Sequence, residues 1–158
     1  MTQLDSVMAK VRAENRAALI AYIPAGFPSQ QGCAKAIQAL AAAGVDAIEI
    51  GFPYSDPVMD GPVIQEAAEI SLKGGTNAAD VFAALKVATD TGVAAVVMTY
   101  WNPVMQYGVE KFAADLAAAG GAGLITPDLI PDEGSDWLEA SDKFNLDRVF
   151  LAAPSSSA

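Results

Sequence analysis

Asp46-Ala-Ile-Glu-Ile-Gly-Phe-Pro-Tyr-Ser-Asp-Pro-Val-Met-Asp-Gly-Pro62 is the stretch around which this chain is organised. Asp46 to Phe52 has the pattern of a β-strand. Side chains alternate between the two faces of a strand, so Ala47, Glu49 and Gly51 share one face, and Asp46, Ile48, Ile50 and Phe52 the other. Glu49 therefore projects from the small-residue face of an otherwise apolar strand. A carboxylate there is costly to bury as an anion, so its pKa is easily raised, which suits a general acid or base. A polar loop follows, stiffened by Pro53 and Pro57 and carrying Tyr54, Ser55, Asp56 and Asp60. Pro62, preceded by Gly61, fits the first position of a helix. One carboxylate from a strand and a second from a stiff loop make a plausible two-acid site. The bare chemistry does not say which.

Outward from this stretch, the chain alternates helical and strand patterns. Leu4, Val7, Met8 and Val11 at helical spacing predict a first helix over residues 2–15, with the role of a plug. A strand is predicted from Ala18 to Pro24, and Ser29 caps a helix running to about Ala43. A helix is predicted from Pro62 to about Lys73. Another, capped by Thr76 or Asn77, runs to about Thr91. Val93 to Tyr100 is a nearly continuous apolar strand, as expected where both sheet faces are covered. Residues 101–107 are predicted as a second long loop, and Gly108 opens a helix that ends at Gly120. A strand over 122–126, a loop over 127–131, a helix over 132–144 and a fifth strand over 148–153 complete the pattern. Ser155 to Ser157 reads as a solvated tail.

Right-handed crossovers make such strands parallel. Loops leaving the strands are longer and richer in Pro, Asp and aromatics than loops entering them, which in βα folds marks the side that carries chemistry. The expected class is α/β in one domain over residues 1–158. Two architectures fit five βα units: part of a (β/α)8 barrel, or a flavodoxin-like doubly wound sheet.

Composition narrows the function. The chain has 158 residues, while a closed barrel needs roughly 200 or more. The net charge of −10 disfavours nucleic acid and anionic membranes, which call for clustered Lys and Arg. No apolar run reaches the ~20 residues of a membrane span. The polar N-terminus lacks a signal-peptide pattern, and the single cysteine, Cys33, forms no internal disulfide; both point to the cytoplasm. With no histidine present, triads, the usual zinc sites and imidazole bases are excluded, and catalysis falls to carboxylates. No metal is expected.

Residues 49–65, Glu-Ile-Gly-Phe-Pro-Tyr-Ser-Asp-Pro-Val-Met-Asp-Gly-Pro-Val-Ile-Gln, resemble the signature of the tryptophan synthase alpha chain family. Tyr-Ile-Pro-Ala-Gly-Phe-Pro (22–28), Met-Thr-Tyr-Trp-Asn-Pro-Val (98–104) and Pro-Asp-Leu-Ile-Pro (127–131) match it in order and spacing. The resemblance implies a TIM barrel, here an incomplete one of about five strands with strands six to eight absent. It implies a lyase of tryptophan biosynthesis that cleaves indole-3-glycerol phosphate, a phosphate ester. It assigns Glu49 as general acid/base and Asp60 as the partner of the indole nitrogen. It implies a beta-chain partner in a heterotetramer, met by Pro53, Asp56, Pro57 and Asn102. It implies no cofactor in this chain, pyridoxal phosphate belonging to the beta chain. Most of the family's phosphate site lies in the absent strands, so this chain alone is expected to be inactive or weak.

Each assignment has a plainer counterpart. Glu49 also reads as a structural carboxylate paired with an amide or a lysine. Asp60 also reads as an acid favoured by a helix N-terminus. Asp56-Pro57 and Asp128 read first as turns. Tyr22 and Tyr100, late on their strands, are either core or walls of a flat aromatic pocket, which Met98, Ile125 and Leu151 would also line. A docking fragment, or another phosphate-sugar barrel, is the alternative function. The latter usually places lysine or histidine at its strand ends, which carry neither here.

Overall fold

The computed structural model describes residues 2–154 and 156. Five strands form one parallel sheet in the order β1-β2-β3-β4-β5: Ile20–Pro24, Ala47–Gly51, Ala94–Met98, Gly123–Thr126 and Asp147–Phe150. Sequential order decides between the two expected architectures. A doubly wound sheet reverses direction at a switch point; a barrel adds each strand beside the last. The chain is α/β, with five neighbouring strands of a TIM barrel.

Among the described residues, seven α-helices accompany the sheet: α1 (Gln3–Ala13), α2 (Gln30–Ala42), α3 (Pro62–Lys73), α4 (Ala78–Asp90), α5 (Trp101–Tyr107), α6 (Val109–Ala118) and α7 (Ser135–Phe144). Local chemistry sets most of their starts. Thr2 and Asp5 form a capping box on α1, Ser29 accepts the Gly32 N–H on α2, and Asn77 with Asp80 caps α4. Pro62 begins α3, where its missing N–H costs nothing.

Three expectations are corrected. Residues 101–107 are not a loop but helix α5, separated from α6 by Gly108. The cap position is Tyr100, not a Ser, Thr, Asp or Asn that would signal a start; the capping acceptor comes from Asp128, whose carboxylate takes the Trp101 N–H at 2.9 and 3.1 Å. The helix over 132–144 is broken into a 3-10 turn at Pro131–Glu133 and α7, with the non-helical Gly134 between them. The fifth strand is shorter than expected and ends at Phe150, leaving Leu151 just beyond it. Of the expected tail, Ser155 and Ser157 lie outside the described residues.

The core lies between the sheet and the helices. Ile48, Ile50, Val97 and Leu124 are fully buried against Ile37, Leu85, Phe112 and Leu116. Each such side chain contributes on the order of 1.5–3 kcal/mol by leaving water. The strand-entry end is tied by polar contacts. Arg16 forks onto Asp46 with two 2.7 Å bonds, and Asp46 also accepts the Leu19 N–H at 2.8 Å. The guanidinium holds the Asp46 carboxyl far below the usual carboxylate range. Thr2 donates to Asp147 at 2.5 Å, anchoring α1 at the start of β5. Polar closure at this end leaves the strand-exit end for chemistry.

Candidate active site

The strand register builds the site. Glu49 lies at the middle of β2, paired with Tyr22 of β1 and Val96 of β3. Ile48 and Ile50 face the helices, so Glu49 faces the opposite, concave side with Tyr22, Met98 and Ile125. Its side chain is half-buried. Burial, and then the charge of Asp60, push the Glu49 carboxyl above its usual range. The Glu49 side chain has no hydrogen-bond or ion-pair partner among the described residues, so the plain structural pairing has no partner there.

Asp60 sits one residue before the helix cap Gly61, at the end of the loop leaving β2. Burial raises its pKa, and the nearby Tyr100 hydroxyl works against that rise. The Tyr22 phenol is pushed well above its ordinary value by burial, then by the charges of Asp60 and Glu49. Tyr22, Glu49 and Asp60 thus sense one another electrostatically at one mouth of the sheet.

Gly51 explains where the Tyr22 ring goes. A Cβ at Gly51 would lie 2.6 Å from Tyr22 Cζ and nearer still to its hydroxyl. The glycine leaves the space into which the ring folds. Its sequence signal was its place on the small-residue face, but the cause lies on the neighbouring strand. Beside Tyr22, an apolar groove of about 470 Å³ runs between β1 and α3, lined by Pro24, Phe27, Val63 and Ile70, with Glu66 also on its wall.

The remaining expected residues separate into groups. Met98 and Ile125 pair directly across β3 and β4 and are partly buried on the concave side. Leu151 is 53% exposed and lies beyond β5. Tyr100 does not sit on a strand: β3 ends at Met98, and Tyr100 occupies the cap position of α5, only 4% exposed. Pro53 is buried and Pro57 half-buried, while Asp56 and Asn102 are exposed. Asn102, on the first turn of α5, donates to the Tyr54 hydroxyl at 3.1 Å, which joins the two surface segments.

Gln65 was missed. Its side-chain amide donates to the carbonyls of Asp60 at 2.9 Å and Pro57 at 3.3 Å, so α3 holds the loop that carries Asp60. The only sequence signal is its position on the first turn after Pro62. Among the described residues, no group of three or more His, Cys, Asp or Glu side chains is gathered as a metal site. A carboxyl of raised proton affinity near an acidic neighbour, beside a tyrosine and apolar strand residues, has the chemistry to exchange a proton with a molecule bound on that face.

Residues 8–158 match the family model described as tryptophan synthase alpha chain. The tryptophan synthase alpha chain of Thermobifida fusca is 57% identical over 157 residues, covering 99% of this chain and 58% of that relative. That of Salinispora arenicola is 58% identical over 157 residues, covering 99% of this chain and 59% of the relative. A crystal structure of tryptophan synthase from M. tuberculosis superimposes with a TM-score of 0.96 at 56% identity, covering 99% of this chain and 63% of that one. The alpha subunit from Legionella pneumophila gives 0.94 at 33% identity, covering 100% and 61%. The chain therefore spans about three fifths of the length of these relatives.

Proposed function

This chain belongs to the tryptophan synthase alpha chain family, and on that premise we propose that it carries the acid–base pair of a lyase that cleaves indole-3-glycerol phosphate to indole and glyceraldehyde 3-phosphate. The observation that carries the proposal is the placement of Glu49. It is a half-buried carboxyl on the concave face, its proton affinity raised by burial and by Asp60.

Glu49 protonates the indole carbon that bears the side chain. The ring becomes cationic, and the bond to the side chain can then deliver its electron pair to the ring. Glu49, now a carboxylate, removes the proton of the adjacent side-chain hydroxyl as that bond breaks, leaving an aldehyde and neutral indole. Asp60 accepts a hydrogen bond from the ring N–H and stabilises the cation. Tyr22, Met98, Ile125, Leu151 and Tyr100 are read as belonging to the pocket around the ring. No cofactor enters these steps, since the protonated indole is its own electron sink; pyridoxal phosphate belongs to the beta chain. The setting is cytoplasmic. No helix among the described residues is long and apolar enough to cross a membrane.

The test is indole release from indole-3-glycerol phosphate, measured with and without a tryptophan synthase beta chain. Glu49→Gln is expected to remove release by at least about 100-fold, the usual share of general acid–base catalysis. Its far-ultraviolet circular dichroism should stay that of the parent. Where the parent releases indole measurably, equal release by Glu49→Gln would remove this residue from the mechanism.

A second role is favoured by one feature. The loop after β2 and helix α5 are bonded through Asn102 and Tyr54, and beside them Val58 is 82%, Met59 50% and Met105 51% exposed. With Asp56 and the half-buried Pro57, they form a surface suited to a beta chain in an alpha–beta heterotetramer; Pro53, expected to join it, is buried. If this chain serves as a docking fragment, it will bind a beta chain without releasing indole.

A further inference from the structure

We propose that Ser71 and Thr76 are positioning residues for the loop after β1. A one-way chain of hydrogen bonds, from the Gln30 amide through both hydroxyls to the Ala25 carbonyl, sets that loop against α3 and so sets the groove beside Tyr22. This rests on the reading above only for what Tyr22 does, not for how the loop is held.

Three bonds make the chain. The Ser71 hydroxyl meets the Ala25 carbonyl at 2.5 Å, the Ser71 and Thr76 hydroxyls lie 2.8 Å apart, and the Gln30 side-chain amide reaches Thr76 at 3.1 Å. Proton counting fixes their direction. A carbonyl only accepts, so the single proton of Ser71 goes to Ala25. The bond between the hydroxyls then uses the proton of Thr76, which leaves the Thr76 oxygen to accept from Gln30. Bonds that run one way polarise and strengthen one another.

The inner part of the chain lies inside the fold. Ser71 is fully buried and Thr76 nearly so. Ala25 is also fully buried, just past the end of β1, and no backbone N–H meets its carbonyl among the described residues. Ser71 therefore satisfies an acceptor that would be costly to leave unpaired. A Cβ at Gly26 would lie 2.1 Å from Thr76 Oγ1 and 2.9 Å from Ser71 Oγ, so the loop backbone rests directly on both hydroxyls.

What the chain joins gives its role. Ala25 donates its N–H to the Gly51 carbonyl at 2.9 Å, at the glycine that makes room for the Tyr22 ring. Pro24 and Phe27, on either side in sequence, belong to one wall of the apolar groove, and Ile70, next to Ser71, belongs to the other. The bond from Ser71 to Ala25 thus ties the two walls together and fixes their separation beside Tyr22.

Three variants separate this role from packing. Ser71→Ala removes the last bond of the chain. Thr76→Val keeps its shape but removes the donor before it. Thr76→Ser keeps that donor and loses only a methyl. The readouts are carbonyl carbon NMR of Ala25, fluorine NMR of chain made with 3-fluorotyrosine, its Tyr22 signal assigned through Tyr22→Phe, and hydrogen exchange of the Phe27 amide, which closes a turn onto the Pro24 carbonyl at 3.2 Å. Ser71→Ala is expected to move the Ala25 carbonyl upfield, shift the Tyr22 signal and speed Phe27 exchange roughly three- to tenfold, the worth of one hydrogen bond. Thr76→Val should do the same to a smaller degree, and Thr76→Ser should match the parent, with the Tyr54 and Tyr107 signals unmoved throughout. Parent-like signals in Ser71→Ala or Thr76→Val, changes in Thr76→Ser as large as in Thr76→Val, or changes that spread to Tyr54 and Tyr107 each overturn the proposal. Should the Ser71 and Thr76 variants fail to fold, Gln30→Met, at the exposed head of the chain, removes the first donor and should move the Ala25 carbonyl upfield; no movement there overturns it too. No readout involves indole, so the outcome is independent of whether the lyase reading stands.

Discussion

Glu49 costs the fold stability where it is ionised, and this gives a test that needs no substrate. Its folded pKa lies above its unfolded value because of burial and the Asp60 charge. Between the two values the folded state therefore binds the proton and the unfolded chain does not. Stability is full below the unfolded pKa and falls as pH rises through the folded one. Asp60 has the same sign, burial being its larger cause. Glu49→Gln, which cannot ionise, should melt higher than the parent at neutral pH, and the gap should close as the pH falls below the unfolded Glu49 range. A gap of equal size at low and neutral pH would mean that Glu49 does not sit in the strained state described. The peculiarity of Glu49 was legible in its strand pattern alone. What holds the Asp60 loop was not, because the Gln65 amide that ties its backbone to α3 acts through a side-chain bond that no local pattern signals.

Elements followed their local signals where those signals were sufficient. Ser29, Asn77 and Pro62 each start a helix within the next residue or so, because a cap works through hydrogen bonds to N–H groups two or three residues on. Helix α5 was read as a loop because its cap is Asp128, 27 residues later. Glycines divide in the same way. Gly123 has no turn to explain it; a Cβ there would lie 2.6 Å from Asp147 Cβ and 2.8 Å from its carbonyl carbon, on the paired strand. The obstruction includes backbone, which cannot swing aside. Gly123→Ala should therefore cost about 1–3 kcal/mol, the usual penalty of overpacking, as measured by urea denaturation. A variant as stable as the parent would show that β4 and β5 separate freely.

Across the whole molecule, one sheet face is packed with helices and the other is open among the described residues. Ile20 is 43%, Val149 37% and Leu151 53% exposed at the outer strands, each of which has one strand neighbour. Exposed apolar strand surface with unpaired edge groups is a template for association. The net charge of −10 opposes it, increasingly so at low salt. The chain should bind a hydrophobic dye and self-associate as salt is raised. Val149→Lys, placing an ammonium group on the open side of β5, should reduce both. Light scattering that does not respond to salt or to this substitution would mean that the association surface lies elsewhere.

By itself the sequence determined the parallel βα order, the helix starts with local caps, and the odd carboxylate on an apolar strand. All three rest on neighbours within a few residues, where period and hydrogen-bond geometry are fixed by the covalent chain. Only the tertiary structure showed barrel order, which the βα pattern by itself left open, the helix at 101–107, the seat of the Tyr22 ring over Gly51, and the hold of Gln65 on the Asp60 carbonyl. Each of those depends on groups from separate strands and helices meeting in space, and no spacing along the chain encodes that meeting directly.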